Sequence, residues 1–185
     1  MDNGFQYILD RKVSMKVMSK FSLGYCSNNS VKMSRPATAS TFPKEWKQFI
    51  EERKEMYNGS LIFPIVDVAG SIAGLAFRKI GSKNFYYNTG FQKTKHLYGI
   101  HNALLDTHAK KFIIVVEGLF DALVGHSIGL ENVVAVLGSR ISYHQACAIK
   151  RYTDNVIIIG DGDEGGQTLI SHGSKMLREV GVNNI

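Results

Sequence analysis

The chain has 185 residues, room for one medium domain or two small ones, and its net charge of +6 is unevenly spread: residues 1–100 carry +8 and residues 101–185 carry −2. Basic surface attracts polyanions and carboxylate clusters attract metal ions, so the split suggests a division of labour. A hydrophobic content of 44% excludes wholesale disorder, apolar runs of five or six residues such as Phe112–Val116 exclude a membrane span, and two cysteines, Cys26 and Cys147, exclude a disulfide framework or a Cys-rich zinc ribbon.

In chain order, MDNGFQYILDRK has no basic-then-apolar signal layout, and a reducing, cytoplasmic setting with no membrane is expected. Residues 5–20 read as helical from the spacing of Tyr7, Ile8, Val13, Val17 and Met18, with Ser14 capping a short second helix, Met15–Phe21, that Gly24 terminates. Residues 26–42 are polar, small and Pro-containing, which predicts loop. Pro43–Met56 reads as a charged helix with Pro43 in its first turn and Trp46, Phe49 and Ile50 on its apolar side. Residues 61–66 and 72–77 are predicted strands around a turn at Asp67–Ser71, and Pro64 argues for an edge position or a bulge. Residues 84–98 read as further strand and loop.

The second half changes rhythm. Phe112–Val116, Val133–Leu137 and Val156–Ile159 are short apolar runs rich in β-branched residues. Helix-like segments follow each of them: Leu119–Ile128, Ser142–Tyr152 and Gly166–Val180. Repeated strand-then-helix units predict a parallel sheet covered on both faces. The closing VNNI reads as the start of a further strand, so the chain is expected to be part of a longer protein.

Two acidic clusters follow two of these strands. VVEGLFD places Glu117 directly after the first and Asp121 one helical turn on; IIIGDGDEGG places Asp161 and Asp163 after the last. Open parallel sheets bind ligands outside the carboxyl ends of their strands. If the two strands are neighbours, Glu117, Asp161 and Asp163 converge, and their repulsion invites a divalent cation. Hard oxygen ligands without Cys or His favour Mg2+ or Mn2+ over zinc. Asp121 also suits a helix start, and Glu164 a solvated first turn. No GxxxxGK[ST] loop, no GxGxxG after a strand and no GxSxG elbow is present. His144 and Cys147 read as surface or core positions of one helix, and Ser139 in LGSR as a turn residue.

The paired clusters VVEGLFDAL and IIIGDGDEGG resemble the Toprim domain of primases, topoisomerases and related nucleases. LIFPIVDVAGSIAGLAFR, YYNTGFQKTKHLYGIHNAL and the early YILDRKVSMKVMSKFSLGYC narrow the resemblance to the core of bacterial or phage DnaG-type DNA primases. Only residues 27–58 find no counterpart. The resemblance implies an α/β fold: an α+β N-terminal subdomain over residues 1–100, and a Rossmann-like Toprim parallel sheet with flanking helices over residues 101–185. It implies a nucleotidyltransferase that makes RNA primers from ribonucleoside triphosphates on a single-stranded DNA template during replication, with a replicative helicase, fused or separate, as partner. Glu117, Asp161 and Asp163 match the catalytic and metal-binding acids, and Asp121 the further acid of the first motif. Arg78, Lys93, Lys95 and Asn88 match residues that face template and nucleotide.

Three departures stand out. Phe85 occupies a position where primases often carry Lys, which would either remove a phosphate contact or replace it with stacking on a base. The family's later Asp-Pro-Asp motif and its zinc module are absent from these 185 residues, which makes weak activity of the fragment alone an expectation. The alternatives are a Toprim nuclease or topoisomerase-like module, which the FPI and K-x-K-x-LYG context disfavours, and a catalytically silent module that holds single-stranded DNA or a helicase.

Overall fold

A computed structural model describes residues 3–27, 30–34 and 43–185. The chain folds as two compact units: Met1–Ile65 with Ile72–Phe91, and Val66–Ser71 with Gln92–Ile185. Residues 92–100 therefore pack with the second unit, as does the turn at Asp67–Ser71.

In the first unit, helix α1 (Asn3–Asp10) leads to α2 (Met15–Lys20). Ser14 caps α2 by accepting a hydrogen bond from Val17 N at 3.3 Å, as its sequence position predicts. The segment expected to be loop from residue 26 begins instead as a hairpin, β1 (Gly24–Ser27) and β2 (Ser30–Met33), paired antiparallel with Cys26 opposite Val31. Residues 28, 29 and 35–42 of that expected loop lie outside the described residues. Four-residue strands are too short to display a period, so their polar composition alone resembles a loop. The helix expected over Pro43–Met56 is two pieces, α3 (Lys44–Glu51) and α4 (Lys54–Tyr57). Pro43 stands just before α3 with ψ 136°, and Arg53, at φ −119°, breaks the run between them.

Strands β3 (Ser60–Val66), β4 (Ile72–Lys79) and β5 (Tyr86–Tyr87) complete a five-stranded sheet ordered β2-β1-β3-β4-β5. Pro64 thus sits in the middle strand rather than at an edge. The pairing of β1 with β3 ends at Gly24 opposite Ile62, so Pro64 lies beyond the stretch that β1 covers. The core of this unit gathers Cys26, Ile50, Tyr57, Ile62, Leu75 and Phe77, with Tyr57 and Phe77 stacked at 3.8 Å between ring centres. Ile50 is fully buried, while Trp46 and Phe49 cover the cluster's rim.

The second unit opens with a one-turn 3-10 helix (Lys93–Lys95) and α5 (Ile100–Lys110), a helix the sequence reading did not separate. Its buried face, Ile100, Ala103 and Thr107, has helical spacing but is diluted by polar neighbours. Strands β6 (Ile113–Val116), β7 (Val133–Ala135) and β8 (Val156–Ile159) follow. Each leads into a helix: α6 (Leu119–Ser127), α7 (Tyr143–Lys150) and α8 (Glu164–Glu179). The three strands form a parallel sheet ordered β7-β6-β8. Ile113, Val115, Val134, Val136, Val156, Leu169 and Leu177 are buried in its main core.

The cover on both faces expected from the sequence is incomplete, because Ile157 and Ile159 of β8 are 47% and 52% exposed. At the base of β8, Asn155 bridges Asn184 in parallel, and Val156 N donates to Asn184 O at 2.8 Å. Among the described residues no helix is long and apolar enough to cross a membrane.

Candidate active site

Strands β6 and β8 are direct neighbours, with Val116 opposite Ile159. That register settles the condition on which convergence depended: the segments starting at Glu117 and Gly160 leave adjacent strands side by side at their carboxyl ends. Helix α8 begins there. Its N-cap Asp163 accepts a hydrogen bond from Gly166 N at 3.0 Å. The glycines of the motif are required by contact. A Cβ on Gly160 would lie 2.3 Å from Gly166 O, and a Cβ on Gly166 would lie 2.0 Å from Asp161 O. The first turn of α8 is thus pressed against the Gly160–Asp161 backbone, which no side chain would permit.

Gly165 marks the meeting point of the acids. A Cβ there would stand 3.2 Å from Asp163 Oδ1 and 3.2 Å from both carboxylate oxygens of Glu117. Two carboxylates from different strand ends therefore lie against the same glycine. Burial pushes the Glu117 carboxyl above its ordinary value, and the negative charges of Asp163, Asp161 and Asp121 push it further. Its Oε2 is buried without a hydrogen-bond partner. Asp121 also works locally: its Oδ2 accepts from Gly118 N at 3.2 Å at the start of α6. Asp161, Asp163 and Asp121 are exposed.

This donor set suits a hard divalent cation: oxygen ligands only, accumulated negative charge, and one buried oxygen lacking a partner. As they stand among the described residues, no three His, Cys, Asp or Glu side chains are grouped tightly enough to enclose an ion. Glu117 and Asp163 meet at Gly165, while Asp161 and Asp121 reach Glu117 through charge.

The basic candidates separate. Lys93 belongs to the carboxyl edge of the parallel sheet, since its Nζ lies 3.8 Å from where a Cβ of Gly138, just past β7, would stand. Along that edge the strand ends present Lys93 beside β7, Glu117 after β6 and Asp161 with Asp163 after β8. Lys95 instead lines a cavity with α7. Arg78 lies in the first unit and is 9% exposed. Its Nε donates to Ser82 O at 2.6 Å and its guanidinium lies 5.2 Å from the centre of the Phe85 ring. Burial draws the Arg78 guanidinium below its ordinary value.

Phe85 is held edge-on by Phe63 at 5.4 Å, so its ring is engaged inside the unit. Asn88 extends the β4–β5 pairing: its Oδ1 accepts from Leu75 N at 2.7 Å while its own N–H donates to Leu75 O at 3.1 Å.

Two residues that shape the edge escaped the sequence reading. Gln145, 1% exposed, donates through Nε2 to Val136 O at 2.8 Å, His96 O at 2.7 Å and Lys93 O at 3.3 Å. Its Oε1 accepts from Ser142 N at 2.9 Å. One side chain thereby ties the lysine-bearing turn to the end of β7. The signal was present as the capping box Ser142-x-x-Gln145. Leu137 turns the chain after β7 in the left-handed region, φ 64°, a conformation that costs a leucine about 1–2 kcal/mol. Burial of its side chain, 4% exposed, holds it there.

Two family models match the chain in succession. Residues 1–104 match the family described as DNA primase catalytic core, N-terminal domain, and residues 114–185 match the Toprim-like family. The DNA primase of Clostridium acetobutylicum is 32% identical over 96% of this chain and 32% of its own length. That of Aquifex aeolicus is 30% identical over 96% of this chain and 38% of its own. The chain thus spans about a third of the curated relatives it matches. A crystal structure of the zinc-binding and RNA polymerase domains of the Aquifex aeolicus primase superposes with a TM-score of 0.77 at 25% identity, covering 96% of this chain and 47% of that one. The E. coli primase catalytic core shares the fold, with a TM-score of 0.70 at 23% identity over 93% of this chain and 59% of that one.

Proposed function

Because this chain belongs to the DnaG-type DNA primases, we propose that it contributes the N-terminal and Toprim parts of a primase catalytic core, joining ribonucleoside triphosphates on a single-stranded DNA template. The observation that carries the reading is the meeting of Glu117 and Asp163 over Gly165 at adjacent strand ends, with Asp161 beside them. Glu117, Asp161 and Asp163 would hold Mg2+ or Mn2+, which would supply charge neutralisation for phosphoryl transfer. Asp121 steadies the start of α6 and adds to the negative field at Glu117. Lys93, at the β7 end of the same edge, binds nucleotide phosphate. Arg78 and Asn88 act by fixing the β4–β5 surface against which template runs, a role consistent with their internal hydrogen bonds.

A related DnaG catalytic domain has been solved bound to single-stranded DNA, which supports that template for this chain. A cytoplasmic protein working with a replicative helicase is the setting this reading implies. Asp161→Ala in the full-length protein tests it. Primer synthesis is expected to be abolished while thermal unfolding stays unchanged, because Asp161 is exposed; normal synthesis by the variant overturns the assignment.

A further inference from the structure

The second unit contains a cavity of about 410 Å³ that shares no residue with the carboxylate site. Leu97, Ile100, Ala148 and Tyr152 give its lining an apolar part. Lys95, His96, His144 and Arg151 bring basic groups to the same space. The Lys95 and Arg151 side chains have no hydrogen-bond or ion-pair partner among the described residues. Asp67 is the one carboxylate in the lining. Its Oδ1 accepts from Ala69 N at 2.9 Å and Ser71 N at 3.0 Å, and its negative charge acts on His96 in the same lining, offsetting one of the four basic groups.

Two cations without partners among the described residues, in one lining with apolar side chains, describe a ligand with an apolar part and an anionic end. The volume falls in the range, roughly 300–1,000 Å³, of pockets that enclose small molecules. We propose that this cavity is a second nucleotide site, taking a nucleoside phosphate with its base on Leu97, Ile100 and Tyr152 and its phosphate on Lys95 and Arg151. Neighbouring lysines then serve different ends: Lys93 faces the carboxyl edge of the sheet, and Lys95 the cavity. No carboxylate cluster lines this site, so binding there requires no divalent metal and does not depend on whether the chain makes RNA.

Cys147 lines the cavity and is half-buried, whereas Cys26 is fully buried, so ligand occupancy is readable as protection of one thiol. The probe is AMP in EDTA, with alkylation of Cys147 by iodoacetamide followed by mass spectrometry of its peptide in the full chain. Saturating AMP is expected to slow alkylation about tenfold, as mass action gives when the ligand exceeds its dissociation constant roughly tenfold. Adenosine and inorganic phosphate, each carrying half of the recognition, give less than about a third of that protection at equal concentration. Arg151→Glu, an exposed substitution, abolishes protection by AMP, and Asp161→Ala retains it. The proposal is overturned if AMP at millimolar concentration leaves alkylation unchanged, if protection survives Arg151→Glu, or if Asp161→Ala removes it.

Discussion

Replacing Gly165 with alanine separates the carboxylate site from the stability of the helix that carries it. The added Cβ would stand 3.2 Å from Asp163 Oδ1 and from both oxygens of Glu117, closer than ordinary carbon–oxygen contact. The two carboxylates must retreat from the added methyl by a few tenths of an ångström. Mg2+ accepts oxygen ligands at about 2.0–2.1 Å in near-ideal octahedral geometry, so a shift of that size degrades its site. A tenfold loss of divalent-ion affinity, about 1.4 kcal/mol, is expected. Helix stability moves the other way: Gly165 lies in the first turn of α8, where alanine gains up to about 0.5–1 kcal/mol over glycine. The assay is a Mn2+ titration by electron paramagnetic resonance together with a thermal melt in EDTA. The variant should bind Mn2+ about tenfold more weakly while melting at or above the wild-type temperature. Unchanged Mn2+ affinity refutes the placement of both carboxylates over Gly165, and a melt lowered by several degrees refutes the account of the strain.

Gln145→Ala removes the two short bonds donated to His96 O and Val136 O, the longer contact to Lys93 O that shares one of those hydrogens, and the bond accepted from Ser142 N, at a site that is 1% exposed. At about 1–3 kcal/mol per buried group left unsatisfied, urea denaturation should show a loss of at least about 3 kcal/mol; a loss below about 1 kcal/mol refutes the hub role. Glu117→Gln tests the charge strain at the strand ends. Because folding raises the Glu117 carboxyl above its unfolded value, the folded state binds more protons and stability falls as pH rises through that interval. In EDTA the Gln variant should therefore melt at or above wild type at pH 7, with the difference vanishing below the unfolded value of 4.5. A Gln variant that melts lower than wild type at pH 7 in EDTA would show that the carboxylate is favourably paired.

The parallel sheet was legible because its signals are local. Ile113–Val116 and Val156–Ile159 are continuous β-branched runs, and each is followed within a few residues by glycine, acid and a helical period. The hairpin at Gly24–Met33 was not legible: four residues show no period, and Cys26 is buried only because β3 and the α3–α4 segment lie against it. The preference of proline for edges assumes full-length pairing, whereas β1 stops pairing at Ile62 and leaves Pro64 beyond it. The basic residues show the limit most clearly. Arg78, Lys93 and Lys95 look alike as charges near one another in sequence. Yet Arg78 is buried against Phe85 in one unit, and the two lysines of a single turn in the other face different surroundings.

By itself the sequence determined where the charges lie along the chain: the +8 and −2 halves, and the acids Glu117, Asp161 and Asp163 at the ends of apolar runs. Residue type and spacing along the chain are enough for that, since a strand's end and a helix's start are encoded within about ten residues. Only the tertiary structure decided that β8 lies beside β6, that Glu117 and Asp163 share the surface of Gly165, and that Lys93 and Lys95 part. Strand order and side-chain burial depend on packing between segments tens of residues apart, and no local period records which segments those are.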